Sequence, residues 1–253
     1  MNRSSLIAPV LTAAVTALTL LGCAPSGSQS ADGPPPLFVQ LHLQIKPGEL
    51  QGFEEARQRA IDYRTAEGYP WNEFVTISET NVARITTPLP NGWADMEAQR
   101  EWFNARPGGG GSGMPDTVSR IRREILEPMP GLFYEPEVPR VTQGQAGWTH
   151  EVKVYTRPGT RQRAQESIGA PSAALRAAGS DQPRFVARTV VGGRSSSYSV
   201  FYPAVDATDY YGNREALQSI IRGALRDGPG DIVVRTERTN WINRPDLGYS
   251  SGN

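Results

Sequence analysis

Leu37, Val39, Leu41, Leu43 and Ile45 alternate with Phe38, Gln40, His42, Gln44 and Lys46. Period-two alternation predicts a strand with one buried face. The same pattern returns weakly downstream, where Val152 and Val154 alternate with Glu151, Lys153 and Tyr155. Each strand is followed by a basic-Pro-Gly step. Lys46-Pro47-Gly48 recurs as Arg157-Pro158-Gly159, an offset of 111, and Phe74-Val75 recurs as Phe185-Val186 at the same offset. Fixed-offset self-similarity signals a duplicated unit.

The rest of each unit follows in order. Residues 49–67 place Leu50, Phe53, Ala56, Ala60, Ile61 and Arg64 at roughly helical spacing, among Glu and Arg on the other face. Residues 160–178 are their counterpart, with Gly169 and Pro171 expected to break or kink the helix. A hairpin comes next in each copy. Glu73–Ser78 and Val82–Thr87 flank Glu79-Thr80-Asn81, and Arg184–Val191 and Ser197–Tyr202 flank Gly192-Gly193. A second helix is expected over Ser119–Leu126, matched by Gln218–Leu225 at an offset of 99. Strands Leu132–Tyr134 and Ile232–Arg235 would close the units. The shorter offset assigns 107–115, a Gly-rich run between Pro107 and Pro115, as an insertion in the first copy.

Strand, helix, strand, strand, helix, strand is the ferredoxin-like βαββαβ order. The fold class is therefore α+β: a tandem duplication whose two antiparallel sheets pair as an α+β barrel. The boundaries are 37–136 for the first repeat, 137–147 for a linker, 148–240 for the second repeat and 241–253 for a tail. On this element order the chain resembles the dimeric α+β barrel superfamily, which includes the antibiotic-biosynthesis monooxygenase, stress-responsive barrel and NIPSNAP-type families. The resemblance implies the fold. It leaves open whether the halves pair within one chain or across two.

The N-terminal 36 residues are built differently. A short basic head at Met1–Ser5 precedes the apolar run Leu6–Leu21, and residues 1–22 read as a signal peptide. Leu20-Leu21-Gly22-Cys23 resembles the lipobox of bacterial lipoproteins, with Leu21 bulkier than usual at its place. That resemblance implies a diacylglyceryl group on Cys23, worth about 0.8 kcal/mol per buried methylene. Residues 23–36 are then the lipidated cysteine and a Pro-rich, polar tether. The expected location is the cell envelope, lipid-anchored to a membrane. With Ala24 after the cysteine, it would be the outer membrane facing the periplasm in a Gram-negative cell.

Composition narrows the function. Lys and Arg number 26 against 26 Asp and Glu, and a neutral balance argues against nucleic acid as a partner. The single cysteine excludes an internal disulfide and a zinc site of several thiolates. No Gly-x-Ser-x-Gly, His-Glu-x-x-His or Cys-x-x-Cys motif occurs, so no catalytic residue is assigned and neither metal nor cofactor is expected. Gly108–Gly113 has no Gly-Lys-Ser/Thr after it and is not read as a phosphate loop.

If the odd face of the first strand packs under helices, the even face looks between the sheets. Gln40, His42 and Gln44, with Glu151, Lys153 and Tyr155 at the 111 offset, would then converge on one polar cleft. Such a set suits a polar ligand or proton transfer, or it forms a wet sheet face whose members satisfy one another. His150 is expected at the surface or a strand edge. Chlorite dismutase-like proteins also carry tandem ferredoxin-like units, with one axial histidine on haem, but no further residue here matches them. The aromatics Trp71, Trp93, Trp102, Phe103, Tyr198, Phe201 and Tyr202 read as core, or as the lining of an apolar pocket.

The expected function is a non-enzymatic binding or interaction module for a small ligand or another envelope protein. The alternative is a cofactor-free monooxygenase-like enzyme of the α+β barrel type, which requires an open, ligand-sized cleft between the sheets.

Overall fold

A computed structural model describes residues 34–106, 114–193, 196–225 and 231–252. The signal peptide, Cys23, most of the tether and residues 107–113 of the expected insertion lie outside the described residues.

The first repeat runs β1 (Leu37–Ile45), α1 (Leu50–Ala66), β2 (Phe74–Ser78), β3 (Val82–Leu89), α2 (Trp93–Asn104), the short α3 (Met114–Thr117) and β4 (Val118–Pro128). The second runs β5 (Trp148–Thr156), α4 (Arg161–Ala177), β6 (Phe185–Val191), β7 (Ser197–Ala204), α5 (Ala207–Leu225) and β8 (Val233–Asn243). The strands form one closed antiparallel barrel in the order β1-β3-β2-β8-β5-β7-β6-β4. The α+β barrel is therefore complete within a single chain, joined by β2 with β8 and by β4 with β6. The matched basic-Pro-Gly steps are matched in conformation too. Gly48 and Gly159 both sit at φ 80°, a left-handed turn that a side chain resists.

Both faces of the strands are used. On β1, Leu43 and Ile45 pack outward with Phe53 of α1 and with Val75, Ile77 and Ile85. On the other half, Trp148 and Val200 meet Ala164, Ile168 and Leu175 of α4 and Tyr210 and Leu217 of α5. Each such fully buried apolar side chain contributes roughly 1.5–3 kcal/mol. Burying these outward faces turns the intervening residues into the barrel.

Four expectations are corrected. Ser119–Leu126 is not a helix but most of β4, because β1 pairs along it with Gln40 opposite Glu124 and His42 opposite Arg122. Its residues alternate as well as they wind, and the β1 edge supplies the hydrogen-bond partners that decide. The second helix of that repeat is α2 instead, so the offset of 99 misaligned the copies. Leu132 ends a 3-10 turn over Pro130–Leu132, and only Tyr134 makes an isolated bridge, to Arg184. Gly169 and Pro171 do not interrupt α4, where Pro171 is buried. The second repeat does not end at 240: β8 continues to Asn243, and Leu247 and Tyr249 pack back, Tyr249 bridging Glu73.

Candidate functional site

Alternation places one column of side chains per strand inside the barrel. β1 contributes Phe38, Gln40, His42 and Gln44. Its neighbours oppose them in register, Arg84 and Thr86 from β3 and Arg122 and Glu124 from β4. The second repeat contributes Glu151 and Lys153 from β5, with Phe201 of β7 opposite Glu151. Glu237, Thr239 and Trp241 of β8 complete the ring.

Across the middle of the barrel lies a layer of buried charge. Arg84 donates to Glu151 at 2.7 Å and to Thr76 at 3.1 Å, and its guanidinium lies 4.1 Å from the Trp241 ring centroid. Glu151 also accepts from the Trp241 indole at 2.8 Å. Lys153 donates to Glu124 at 2.5 Å, and His42 Nε2 stands 3.6 Å from the same carboxylate. Both ion pairs join one repeat to the other.

Burial raises the Glu124 pKa, but His42 and Lys153 outweigh it and hold the group at about 2. Burial opposes the Glu151 charge as well, and the Arg84 guanidinium overrides it, so that carboxyl is also held below its usual range. Burial depresses His42 beyond what Glu124 restores, leaving a neutral imidazole at neutral pH.

Among the described residues, a cavity lies on either side of this layer. The larger, of about 560 Å³, opens toward the Phe38 end and is lined mainly by apolar groups, among them Phe38, Trp71, Leu126, Phe133, Phe185 and Phe201. Its inner end is polar, with Gln40, Thr76, Arg84, Thr86 and Thr149. Among the described residues, Arg84 is the cation on its lining, and Asp95 and Glu135 are its carboxylates. The smaller, of about 210 Å³, opens at the other end among His42, Gln44, Arg120, Arg122, Lys153 and Thr239.

The structure thus splits the six residues of the expected cleft. Gln40 lines the large cavity, while His42, Gln44, Glu151 and Lys153 line the small one. Tyr155 lines neither and donates to Glu237 at 2.7 Å; burial and that carboxylate push its hydroxyl up to about 12. His150 is not a surface or edge residue. Its ring is half-buried under α5, stacked on Tyr210 at 4.9 Å, with Nδ1 2.7 Å from Asn240 Oδ1. Of the aromatics, Trp71 and Phe201 do line a pocket, Tyr198 and Tyr202 are core, and Trp93 is exposed. Arg84, Phe133 and Phe185 were missed. Arg84 carried a signal, as the charged member of the alternating set Val82, Arg84, Thr86.

A haem does not fit these residues. The chain has two histidines, and neither lines the large cavity. His42 is boxed by Glu124 and Trp241, and His150 lies outside the barrel wall.

A scan against protein families and a search of curated proteins found no match. Solved structures do match. An anthrone oxidase-like protein is similar over 88% of this chain and 96% of its own, with 11% identity and a TM-score of 0.61. A putative monooxygenase from Lactobacillus acidophilus is similar over 87% of this chain and 98% of its own, at 7% identity and a TM-score of 0.52. A chlorite dismutase from Candidatus Nitrospira defluvii is similar over 83% of this chain and 92% of its own, at 8% identity and a TM-score of 0.52. At these identities the likeness shows the dimeric α+β barrel fold. It also corrects the expectation of a non-enzymatic binding module. Similar folds bear the names of a putative monooxygenase and an anthrone oxidase-like protein, and the open cleft that the oxygenase alternative required is present.

Proposed function

We propose that the chain is an envelope-anchored, cofactor-free oxygenase that oxidises a planar phenolic or anthrone-like substrate with molecular oxygen. One observation carries this reading: a 560 Å³ cavity with aromatic walls that ends on a buried guanidinium. The walls take a flat apolar ring system, and sites of this size and lining suit small organic ligands. The guanidinium and the amide of Gln40 sit where a substrate oxygen would reach. A cation at that point stabilises the oxyanion formed when an activated methylene loses its proton. The carbanion form then adds oxygen, and loss of water leaves a ketone, so that one methylene and one dioxygen give one carbonyl and one water.

The proton needs an acceptor at the cavity. Asp95 is occupied, accepting from the Asn91 backbone at 2.7 Å and from its amide at 3.1 Å. Glu135 is the remaining lining carboxylate and is assigned the base role. The residues 70–72 and 88–91 at the mouth would exclude water once substrate is seated.

The test is oxygen consumption by the purified full chain with anthrone, with quinone absorbance followed in parallel. Uptake above the uncatalysed rate is expected, with Arg84→Met and Glu135→Gln each lowering it at least about tenfold. A wild-type rate equal to buffer, or variants that oxidise as fast as wild type, would refute the assignment.

The anchor is part of the same proposal and rests on the basic head Met1–Ser5, the apolar run Leu6–Leu21 and Leu20-Leu21-Gly22-Cys23. Growth with labelled palmitate should mark the chain and should not mark Cys23→Ala, which is expected to be released from membranes. Equal labelling of both would remove the anchor from the reading.

A further inference from the structure

The smaller cavity is not absorbed by that chemistry. It lies at the opposite end of the barrel, beyond the buried charge layer. Its lining carries Arg120, Arg122 and Lys153 against Glu151 and Glu237. The carboxylates are already matched. Glu151 is held by Arg84 at 2.7 Å, and Glu237 pairs with Arg235 and accepts from Tyr155. Lys153 is matched in turn by Glu124 at 2.5 Å. One guanidinium is then unpaired and a second only loosely paired. Arg122 comes no nearer than 3.7 Å to Glu124, and among the described residues Arg120 has no ion pair.

His42 stands on the wall of the same space. His42 is 9% exposed, and its Nε2 faces the Glu124 carboxylate at 3.6 Å, beyond ordinary hydrogen-bond length. The imidazole is part of the wall of a 210 Å³ cavity that Gln44, Thr80 and Thr239 also line, with the Gln44 amide held by the Thr80 carbonyl at 3.0 Å and the Thr80 hydroxyl by Ser78 at 3.1 Å. Planar guanidiniums match oxyanions in pairs of parallel hydrogen bonds. We propose that this polar mouth is a binding site for a small oxyanion, a carboxylate or phosphate group, gripped by Arg120 and Arg122, with its remaining polar atoms turned toward His42.

The volume limits the guest to a small metabolite or a terminal acidic group. The surplus positive charge selects an anion, and the neutral state of His42 leaves its imidazole able to donate or accept. The proposal does not rest on the oxygenase reading. The two cavities share no lining residue.

The experiment is isothermal titration of the full chain with inorganic phosphate and, separately, with malonate, in chloride buffers of matched ionic strength. Saturable one-site heat is expected with at least one probe, weakened at least about tenfold in Arg120→Gln/Arg122→Gln. Phosphate alone binding assigns phosphoryl groups, and malonate alone assigns carboxylates. The variant's urea midpoint should equal wild type, because both side chains stand at the open mouth. Anthrone oxidation by the variant should also be unchanged, so failure here and failure of the oxygenase reading can be told apart. No saturable heat with either probe at millimolar concentrations overturns the proposal, as does unchanged affinity in the double variant.

Discussion

Replacing Glu151 with glutamine removes the charge that holds Arg84 while nearly preserving the shape of the side chain. The pair is well suited to the test, since the Arg84 and Glu151 side chains are only 4% and 7% exposed. Arg84 would keep its 3.1 Å bond to Thr76 and its place over Trp241, but it would lose its only paired carboxylate among the described residues. An uncompensated buried charge of this kind destabilises by about 3–5 kcal/mol. With a urea slope of about 2 kcal/mol per molar, the unfolding midpoint should fall by about 2 M. The control is the double variant Arg84→Met/Glu151→Leu, which removes both charges and fills similar volume. It should recover most of the loss, because the single variant's cost lies in the stranded guanidinium and not in the worth of the pair. The assay is equilibrium urea unfolding followed by tryptophan fluorescence and circular dichroism. A loss under about 1 kcal/mol in Glu151→Gln, or a double variant no more stable than the single, would refute the argument that this layer is locked by mutual neutralisation.

Other outcomes follow from the same structure. Glu124 is held at about 2 against an ordinary 4.5, so its depressed pKa contributes stability above pH 4.5 that is lost as pH falls toward 2. A melting-temperature series for wild type and Glu124→Gln should show a gap at neutral pH that closes across that window, and a constant gap would count against it. Phe53→Ala opens a hole in a site that is 0% exposed and should cost about 3–5 kcal/mol by urea unfolding. Gly159→Ala should cost about 1–2 kcal/mol from the left-handed backbone alone, since no atom lies within 4 Å of the added methyl. A neutral effect there would mean that the turn relaxes.

Much of the architecture was legible along the chain because side-chain direction in a strand is a local property. Alternation in 37–45 and 151–155 put Gln40, His42, Gln44, Glu151 and Lys153 on the inner face, and the structure has them there, whereas Tyr155, expected with them, lines neither cavity. The repeated basic-Pro-Gly step marked two copies because a left-handed glycine is needed at the same turn in each. The site itself was less legible. A polar cleft was expected around His42, while the aromatic cavity was foreseen only as the alternative reading of aromatics such as Trp71 and Phe201. Its walls come from Phe38, Phe133, Phe185 and Phe201, which are far apart in sequence and carry no shared spacing.

What the chain determines alone is the element order of each half, the inner and outer faces of β1 and β5, and the near-neutral charge balance. Tertiary structure decided the rest. Residues 119–126 became a strand only because β1 offered an edge to pair with. Arg84 found Glu151, and Lys153 found Glu124, only when the barrel closed and brought residues of opposite repeats to one level. Those pairings depend on register between distant strands, and local periodicity carries no information about register. The placing of an apolar cavity on one side of the charge layer and a polar one on the other follows from that closure.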